Sequence, residues 1–410
     1  MIKKIDKGHT LIVRGPARIT LLKGEITVIG KKFVSKKEID TSEDTNIGNN
    51  NVIIIPSAQC YPIFATEESS IELYTNIEEN LTIIEENTIS PRWVEIKDAI
   101  IENLKQGSQP HLKIMVLGIS SGKTTLIKYL ANNFLKEGFK GGYLDSDLGQ
   151  QNIYIPTTIN IGNIDNYIIS SHNIKSEKTE FIGVTFPKGN YKFIVSHASK
   201  RLIDEYIEKN KEIDFVLIDT DGWIKTEAGI VYKNFFIKTV DPDILIVFHD
   251  NEVEELQTIE DTSSELRKER KLFLIEEDNK YFYEKDKDER RFLRQSQFSK
   301  KFEEFRKISI PLDDMKFMKA EYDTEEDKII EREINLDDLI NLPYHYVIIG
   351  LVTEDSELVE IGLLFTVNVE KNYILLYSNL TYKQQLSIKK IMLGSLRLST
   401  KGNHQGYLYL

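Results

Sequence analysis

Cysteine is almost missing from this chain: Cys60 is the single one in 410 residues, so no intramolecular disulfide can form and a Cys-rich zinc site is excluded. Long apolar runs are missing too. No stretch approaches the roughly 18 consecutive apolar residues of a membrane helix, and Met1-Ile2-Lys3-Lys4-Ile5-Asp6 lacks the apolar core of a signal peptide. These absences lead us to expect a soluble, cytoplasmic protein with no membrane partner. An excess of positive charge is also lacking: 53 Lys and Arg stand against 65 Asp and Glu, a net charge of -12. That balance argues against indiscriminate coating of nucleic acid, which is carried by phosphate neutralisation, but leaves room for a local basic groove. The seven histidines are scattered, each reading as a surface or core residue rather than a ligand.

What is present is an ordinary globular balance, 40% hydrophobic and 29% charged, on a chain long enough for two or three domains. The chain is organised around Lys113 to Ala131. There an apolar run, Ile114-Met115-Val116-Leu117, gives way to Gly118-Ile119-Ser120-Ser121-Gly122-Lys123-Thr124-Thr125 and then to Leu126-Ile127-Lys128-Tyr129-Leu130. The pattern predicts strand, glycine loop, helix. Such a loop turns backbone N–H groups inward at a helix N-terminus, where the macrodipole adds partial positive charge, and so makes a phosphate seat. Lys123 reaches the β/γ-phosphates in this arrangement and Thr124 ligates Mg²⁺. The usual spacing is G-x-x-x-x-G-K-[ST]; here the loop is one residue short, so a tight strand-to-helix turn with an exposed lysine is the plainer alternative.

Residues 1 to about 85 are short β-like runs broken by turn residues, as in Leu11-Ile12-Val13-Arg14 before Gly15-Pro16, which predicts a small antiparallel sandwich. Thr41 to Asn51 is expected to be an exposed loop. Pro91-Arg92-Trp93 opens a predicted helix to about Leu104. Beyond it strands and helices alternate, the signature of a parallel α/β sheet, with strands at Ile114 to Leu117, Gly142 to Leu144, Phe215 to Ile218 and Ile244 to Phe248. Ligands of such sheets sit outside the carboxyl ends of the strands. Two of these ends carry Asp145-Ser146-Asp147 and Asp219-Thr220-Asp221, so carboxylates would converge on the phosphate seat. Either Asp pair alone also suits a helix cap or turn.

From Glu254 to Glu304 the chain is strongly charged, with Arg290, Arg291 and Arg294 and then Lys300, Lys301 and Arg306. Arg290 and Arg294 share a helical face. This is either a solvated charged helix or a lid whose arginines stabilise a transferring phosphoryl group. Asp313 to Asp338 is acidic and polar, with a candidate boundary near 310 to 340. After Pro343 a β pattern returns and closes with Ile391 to Leu398.

Four stretches together resemble the polynucleotide 5′-hydroxyl kinases, the family that includes the ATP-binding subunit of the eukaryotic pre-mRNA cleavage factor, rRNA-processing kinases and archaeal RNA kinases. They are Gly118 to Thr125, Tyr143-Leu144-Asp145-Ser146-Asp147-Leu148-Gly149-Gln150, Phe181-Ile182-Gly183 with Pro187, and Asp219-Thr220-Asp221-Gly222-Trp223-Ile224. The Asp-x-Gly-Gln and Thr-x-Gly-Trp elements are far more specific than the glycine loop. Trp93, the arginine-rich segment and the closing strand extend the likeness to most of the chain, as an archaeal-type member.

The resemblance implies a central α/β P-loop NTPase domain with a parallel sheet, flanked by small N-terminal and C-terminal β domains. We place these at 1–88, 89–315 with a lid at about 285–306, and 316–410. It further implies that Gly118, Ser120, Ser121, Gly122, Lys123, Thr124 and Thr125 bind ATP, that Thr124 and Asp147 hold Mg²⁺, and that Asp147 acts at the attacking hydroxyl. Gln150, Thr220, Gly222 and Trp223 fall on the substrate side, the tryptophan holding the terminal nucleotide. Arg290 and Arg294 look like the lid arginines, and Arg291 can take either role. The family's loop reads Gly-Pro-x-Asp-x-Gly-Lys-[Ser/Thr]; this chain lacks the proline, the aspartate and one residue, which leaves fewer amides to wrap a phosphate. Two functions follow. One is transfer of the ATP γ-phosphate to the 5′-hydroxyl of RNA, or of single-stranded DNA, in RNA processing or repair. The other is a noncatalytic ATP-binding scaffold among RNA-processing proteins. A nucleotide-switch ATPase or GTPase would explain the loop but not the Thr-x-Gly-Trp element, and no Asn-Lys-x-Asp sequence is present.

Overall fold

The computed structural model describes residues 1–35, 51–76, 78–107, 109–119, 122–170, 174–249, 254–266, 270–276, 280–281, 283–313 and 315–408. The loop expected over Thr41 to Asn51 lies almost wholly outside them, as do Ser120 and Ser121. A seven-stranded sheet occupies the centre, in the order Ser176–Phe181, Thr158–Asn163, Gly141–Asp145, Phe215–Asp219, Leu112–Leu117, Ile244–Phe248, Lys271–Ile275. The last five run parallel. They are apolar along their length because helices cover both faces of the sheet, and Leu112–Leu117 lies between two neighbours. The first two strands are antiparallel, a departure from the all-parallel expectation. Parallel neighbours need a crossover, usually a helix. Among the described residues no helix joins Asp145 to Thr158 or Asn163 to Ser176, and the paired strands run antiparallel.

Two small antiparallel sheets from residues 2–84 form a sandwich around Val13, Ile19, Ile26 and Ile63. The same core runs on through Trp93 and Ile96 of the helix Pro91–Gln106 and Leu130 and Phe134 of Lys123–Lys136, onto one face of the central sheet. The opposite face packs on Tyr191–Lys209 and Glu227–Val240. An eight-stranded sheet closes the molecule. It takes in Arg306–Pro311, a strand that precedes the boundary drawn at 315. It also takes in Lys316–Asp323 and Lys328–Glu333, paired strands inside the stretch expected to hold the boundary. Their charges sit on exposed or half-buried positions, as in the Arg332–Glu321 ion pair, so the apolar signal of a strand is diluted. Among the described residues no helix is long and apolar enough to cross a membrane.

Candidate active site

Leu117 leads into Gly118 and, across the two undescribed serines, into Gly122, whose φ of 87° lies in the left-handed region and sets the start of the helix Lys123–Lys136. Among the described residues no side chain caps that helix. Its first N–H groups therefore have no intrahelical partner and face the cleft as ready donors for an anion. Lys123 Nζ donates to Gly118 O at 2.8 Å, folding over the short loop. Thr124 Oγ1 donates to Asp219 Oδ2 at 2.6 Å, and Tyr143 donates to the same oxygen at 2.9 Å.

The neighbouring strand ends bring in further carboxylates. Asp145 is fully buried and accepts from Asn152 N at 2.6 Å and Asn152 Nδ2 at 3.0 Å. Burial, with Asp219 and Asp147 adding like charge, pushes its carboxyl well above the usual range. Asp147 Oδ1 accepts from Gly149 N and Gln150 N, each at 2.9 Å, which fixes the carboxylate on the cleft wall. Burial, then Asp221, raises its pKa, against the pull of Lys123. Asp221 is drawn the other way: Oδ1 accepts from Trp223 N at 2.8 Å and lies 3.1 Å from Lys233 Nζ, itself fully buried.

The cleft, about 500 Å³, lies between the phosphate loop, the lid helix and an edge of the N-terminal sandwich. It brings together Gly122, Lys123, Thr124, Thr125, Asp147, Gln150, Gly222, Arg290 and Arg294. Gln150 Nε2 donates to Gly149 O at 3.2 Å. The lid helix Lys287–Phe302 starts from a reciprocal capping box between Asp286 and Glu289, which defines where its arginines stand. Arg290 Nε donates to Lys285 O at 3.0 Å. Arg294 is half-buried, and burial lowers its pKa against the attraction of Asp147. Arg291 points elsewhere, exposed and 3.8 Å from Asp288. Thr220 is likewise not on the cleft surface: it is buried and donates to Val116 O at 2.8 Å, tying its strand end to the loop strand. Trp223 stands beyond Gly222, its Nε1 donating to Thr226 Oγ1 at 2.9 Å.

Several site residues escaped the sequence reading. Lys128 lines the cleft four residues after Thr124 on the same helix face and is buried, which with nearby Lys285 pulls it down to about 8. Its position relative to Thr124 was the only available signal. Phe186, 47% exposed, meets Trp223 with ring centroids 4.6 Å apart. Pro56, Ser57 and Gln59 of the sandwich form a further wall, and nothing local marks them.

This fold and cleft define a P-loop nucleotide-binding protein with a basic lid. Residues 118–304 match the family model of the mRNA cleavage and polyadenylation factor CLP1 P-loop. The polyribonucleotide 5′-hydroxyl-kinase of Methanocaldococcus jannaschii is 26% identical over 367 residues, 79% of this chain and 98% of that protein. That of Pyrococcus furiosus is 34% identical over 227 residues, 54% of this chain and 60% of its own length. Among solved structures, Clp1p in a complex with Pcf11p shares the fold over 97% of both chains, with a TM-score of 0.74 at 14% identity. Along most of its length the chain is thus similar to polyribonucleotide 5′-hydroxyl-kinases, and the P-loop kinase fold carries ATP binding with it.

Proposed function

We propose that this protein transfers the γ-phosphate of ATP to the 5′-hydroxyl of an RNA strand. The observation that carries the reading is that Lys123, Thr124, Asp147 and the lid arginines Arg290 and Arg294 line one cleft together with Gly222, the residue before Trp223. Phosphoryl transfer needs positioning and charge neutralisation more than covalent help. The helix N–H groups and Lys123 hold the β/γ-phosphates, and Lys123 exchanges its bond to Gly118 O for them. Lys128 adds positive charge beneath the short loop and offsets amides that the missing residue would have supplied.

The donor set suits Mg²⁺. A threonine hydroxyl is fixed by a carboxylate, Asp147 faces the cleft, and no cluster of three His, Cys, Asp or Glu occurs among the described residues. An ion that prefers phosphate and water oxygens needs no more from the protein. When bound, Mg²⁺ supplies charge neutralisation at the phosphates. Thr124 and Asp147 hold it, Asp219 orienting Thr124. Asp147 accepts the proton of the attacking hydroxyl. Arg290 and Arg294 cover the developing charge, and Gln150 and Gly222 border the acceptor. Trp223 and Phe186 offer aromatic faces to the terminal base, a contact indifferent to base identity. Thr220 acts as a positioning residue through Val116.

The test is transfer of labelled γ-phosphate from ATP to single-stranded RNA with a 5′-hydroxyl, with Lys123→Ala and Asp147→Asn beside the parent. Transfer that both substitutions abolish supports the kinase. No transfer, with ATP still raising the parent's thermal stability but not that of Lys123→Ala, overturns it in favour of a nucleotide-binding scaffold.

A further inference from the structure

We infer that the C-terminal sheet carries a track for the RNA strand downstream of its reacting 5′ end, on the face that the lid helix also covers. The inference rests on the kinase reading for the polarity of that strand, but its geometry is independent of it. The track begins at the loop that bears Phe186. There the two parts of the molecule meet through backbone: Ser395 N donates to Gly183 O at 2.8 Å, and a β-carbon on Gly183 would stand 2.4 Å from Gly394 Cα. The strand Lys390–Leu398 leaves this junction and carries the path along the sheet. Its partner His404–Tyr407 places Tyr407, 44% exposed, opposite Leu396, within the electrostatic reach of Arg294.

From there one side chain per strand crosses the sheet. His404 pairs with Leu398, Leu398 N donates to Tyr346 O, and Tyr346 N donates to Leu364 O beside Phe365. Leu363 of that strand pairs with Tyr377, and Tyr377 pairs with Lys307. These are five inter-strand steps, about 24 Å at about 4.8 Å each. The rings of Tyr346, Phe365 and Tyr377 lie 5.4, 5.8 and 6.2 Å apart, and Lys307 Nζ stands 4.8 Å from the Phe365 centroid. His404 and Lys307 are exposed and the three rings half-buried. Partly exposed aromatic faces with a cation near each end, Arg294 by Tyr407 and Lys307 over Phe365, are what an unpaired polynucleotide recognises, its bases stacking and its phosphates meeting the charges. Double-stranded nucleic acid would use the cations but not the rings. On a chain of net charge -12, so local a basic and aromatic stripe favours one strand along one path over general adhesion.

The test compares a trinucleotide with a single-stranded RNA of about fifteen nucleotides, since tracks of this kind cover about 4 to 16. Binding is read by fluorescence anisotropy on 5′-phosphorylated forms, which cannot react, and phosphorylation on 5′-hydroxyl forms. The parent is expected to bind the longer RNA at least about tenfold more tightly, the gain of a stacked base or two. Lys307→Glu with Phe365→Leu, which keeps apolar packing, is expected to remove most of that advantage while trinucleotide phosphorylation is unchanged; Lys307→Gln alone should remove part. Equal binding of both lengths by the parent, or a length advantage that survives in the double variant, overturns the track. Equal loss with a blunt duplex and with single strands would reduce the face to an unspecific cation patch and overturn it too. Length-dependent binding without any phosphorylation would sink the kinase reading and leave the track standing.

Discussion

Two strand ends lie side by side in the central sheet and carry the same pattern, Asp145-Ser146-Asp147 and Asp219-Thr220-Asp221, with Asp145 and Asp219 paired in register. Their environments have separated them. In the first, the deep aspartate is fastened by Asn152 and the outer one faces the cleft, close to Lys123 and Arg294. In the second, the deep aspartate reaches Thr124 of the phosphate loop, and the outer one is turned inward onto Lys233 and the Trp223 amide. The pattern alone says that carboxylates gather here. Which of the four faces the cleft is decided by their neighbours: a basic lid draws Asp147 outward in charge terms, whereas a buried lysine holds Asp221 in place.

The contrast can be broken most severely at Asp147. Asp147→Asn is expected to lower kcat by about a hundred- to ten-thousand-fold, the usual contribution of a positioned base, while ATP still protects the protein against heat. A comparable loss from Asp221→Asn at every pH would show that the two outer carboxylates share the chemistry.

The deep pair is probed through the cation near both of them. Burial that pulls Lys128 from 10.5 to about 8 means that its charged form costs the fold up to about 3 kcal/mol. Lys128→Met is therefore expected to stabilise the nucleotide-free protein, measured by denaturant unfolding at pH 7, and to weaken ATP binding. Because the folded-state pKa is the lower one, the penalty is full below about 8 and fades as pH rises towards 10.5, so the two proteins should converge in stability over that window.

Asp219→Asn keeps the shape but weakens a charge-assisted bond to Thr124 worth about 1.5–3 kcal/mol. Phosphorylation rate titrated with magnesium should show a higher half-saturating concentration, with a smaller change at saturation. The mildest change is expected from Asp221→Asn. Removing that neighbouring charge lowers the pKa of Asp147, which must be ionised to accept a proton. The acid limb of the kcat/KM profile should then move to lower pH and the plateau stay in place.

The strands that carry these aspartates were plain in the sequence because burial on both faces leaves unbroken apolar runs, and the strand-end rule then located the site. Edge strands were not. Ser176-Glu177-Lys178-Thr179-Glu180 pairs on one side only and offers its polar side chains to partners such as Lys209 and Arg201. Lys328–Glu333, paired only with Lys316–Asp323, read as part of an acidic boundary for the same reason. Lys128 sits in Leu126-Ile127-Lys128-Tyr129-Leu130, where a lysine ordinarily faces water. Only the position of the carboxylates beneath it shows otherwise, and Phe186 likewise takes its meaning from a tryptophan 37 positions away in sequence.

The meeting of Gly183 and Gly394 has a further result. Gly183 holds a φ of 79°, and its missing side chain is what lets the backbone of the closing sheet touch it. A joint made of side chains can be repacked around a substitution; one made of two bare main chains has no such slack. It behaves as a fixed reference mark from which both Phe186 on one side and Tyr407 on the other are measured out. A single methyl group inserted there would shift the whole ruler, altering which length of strand fits without touching any residue that contacts it.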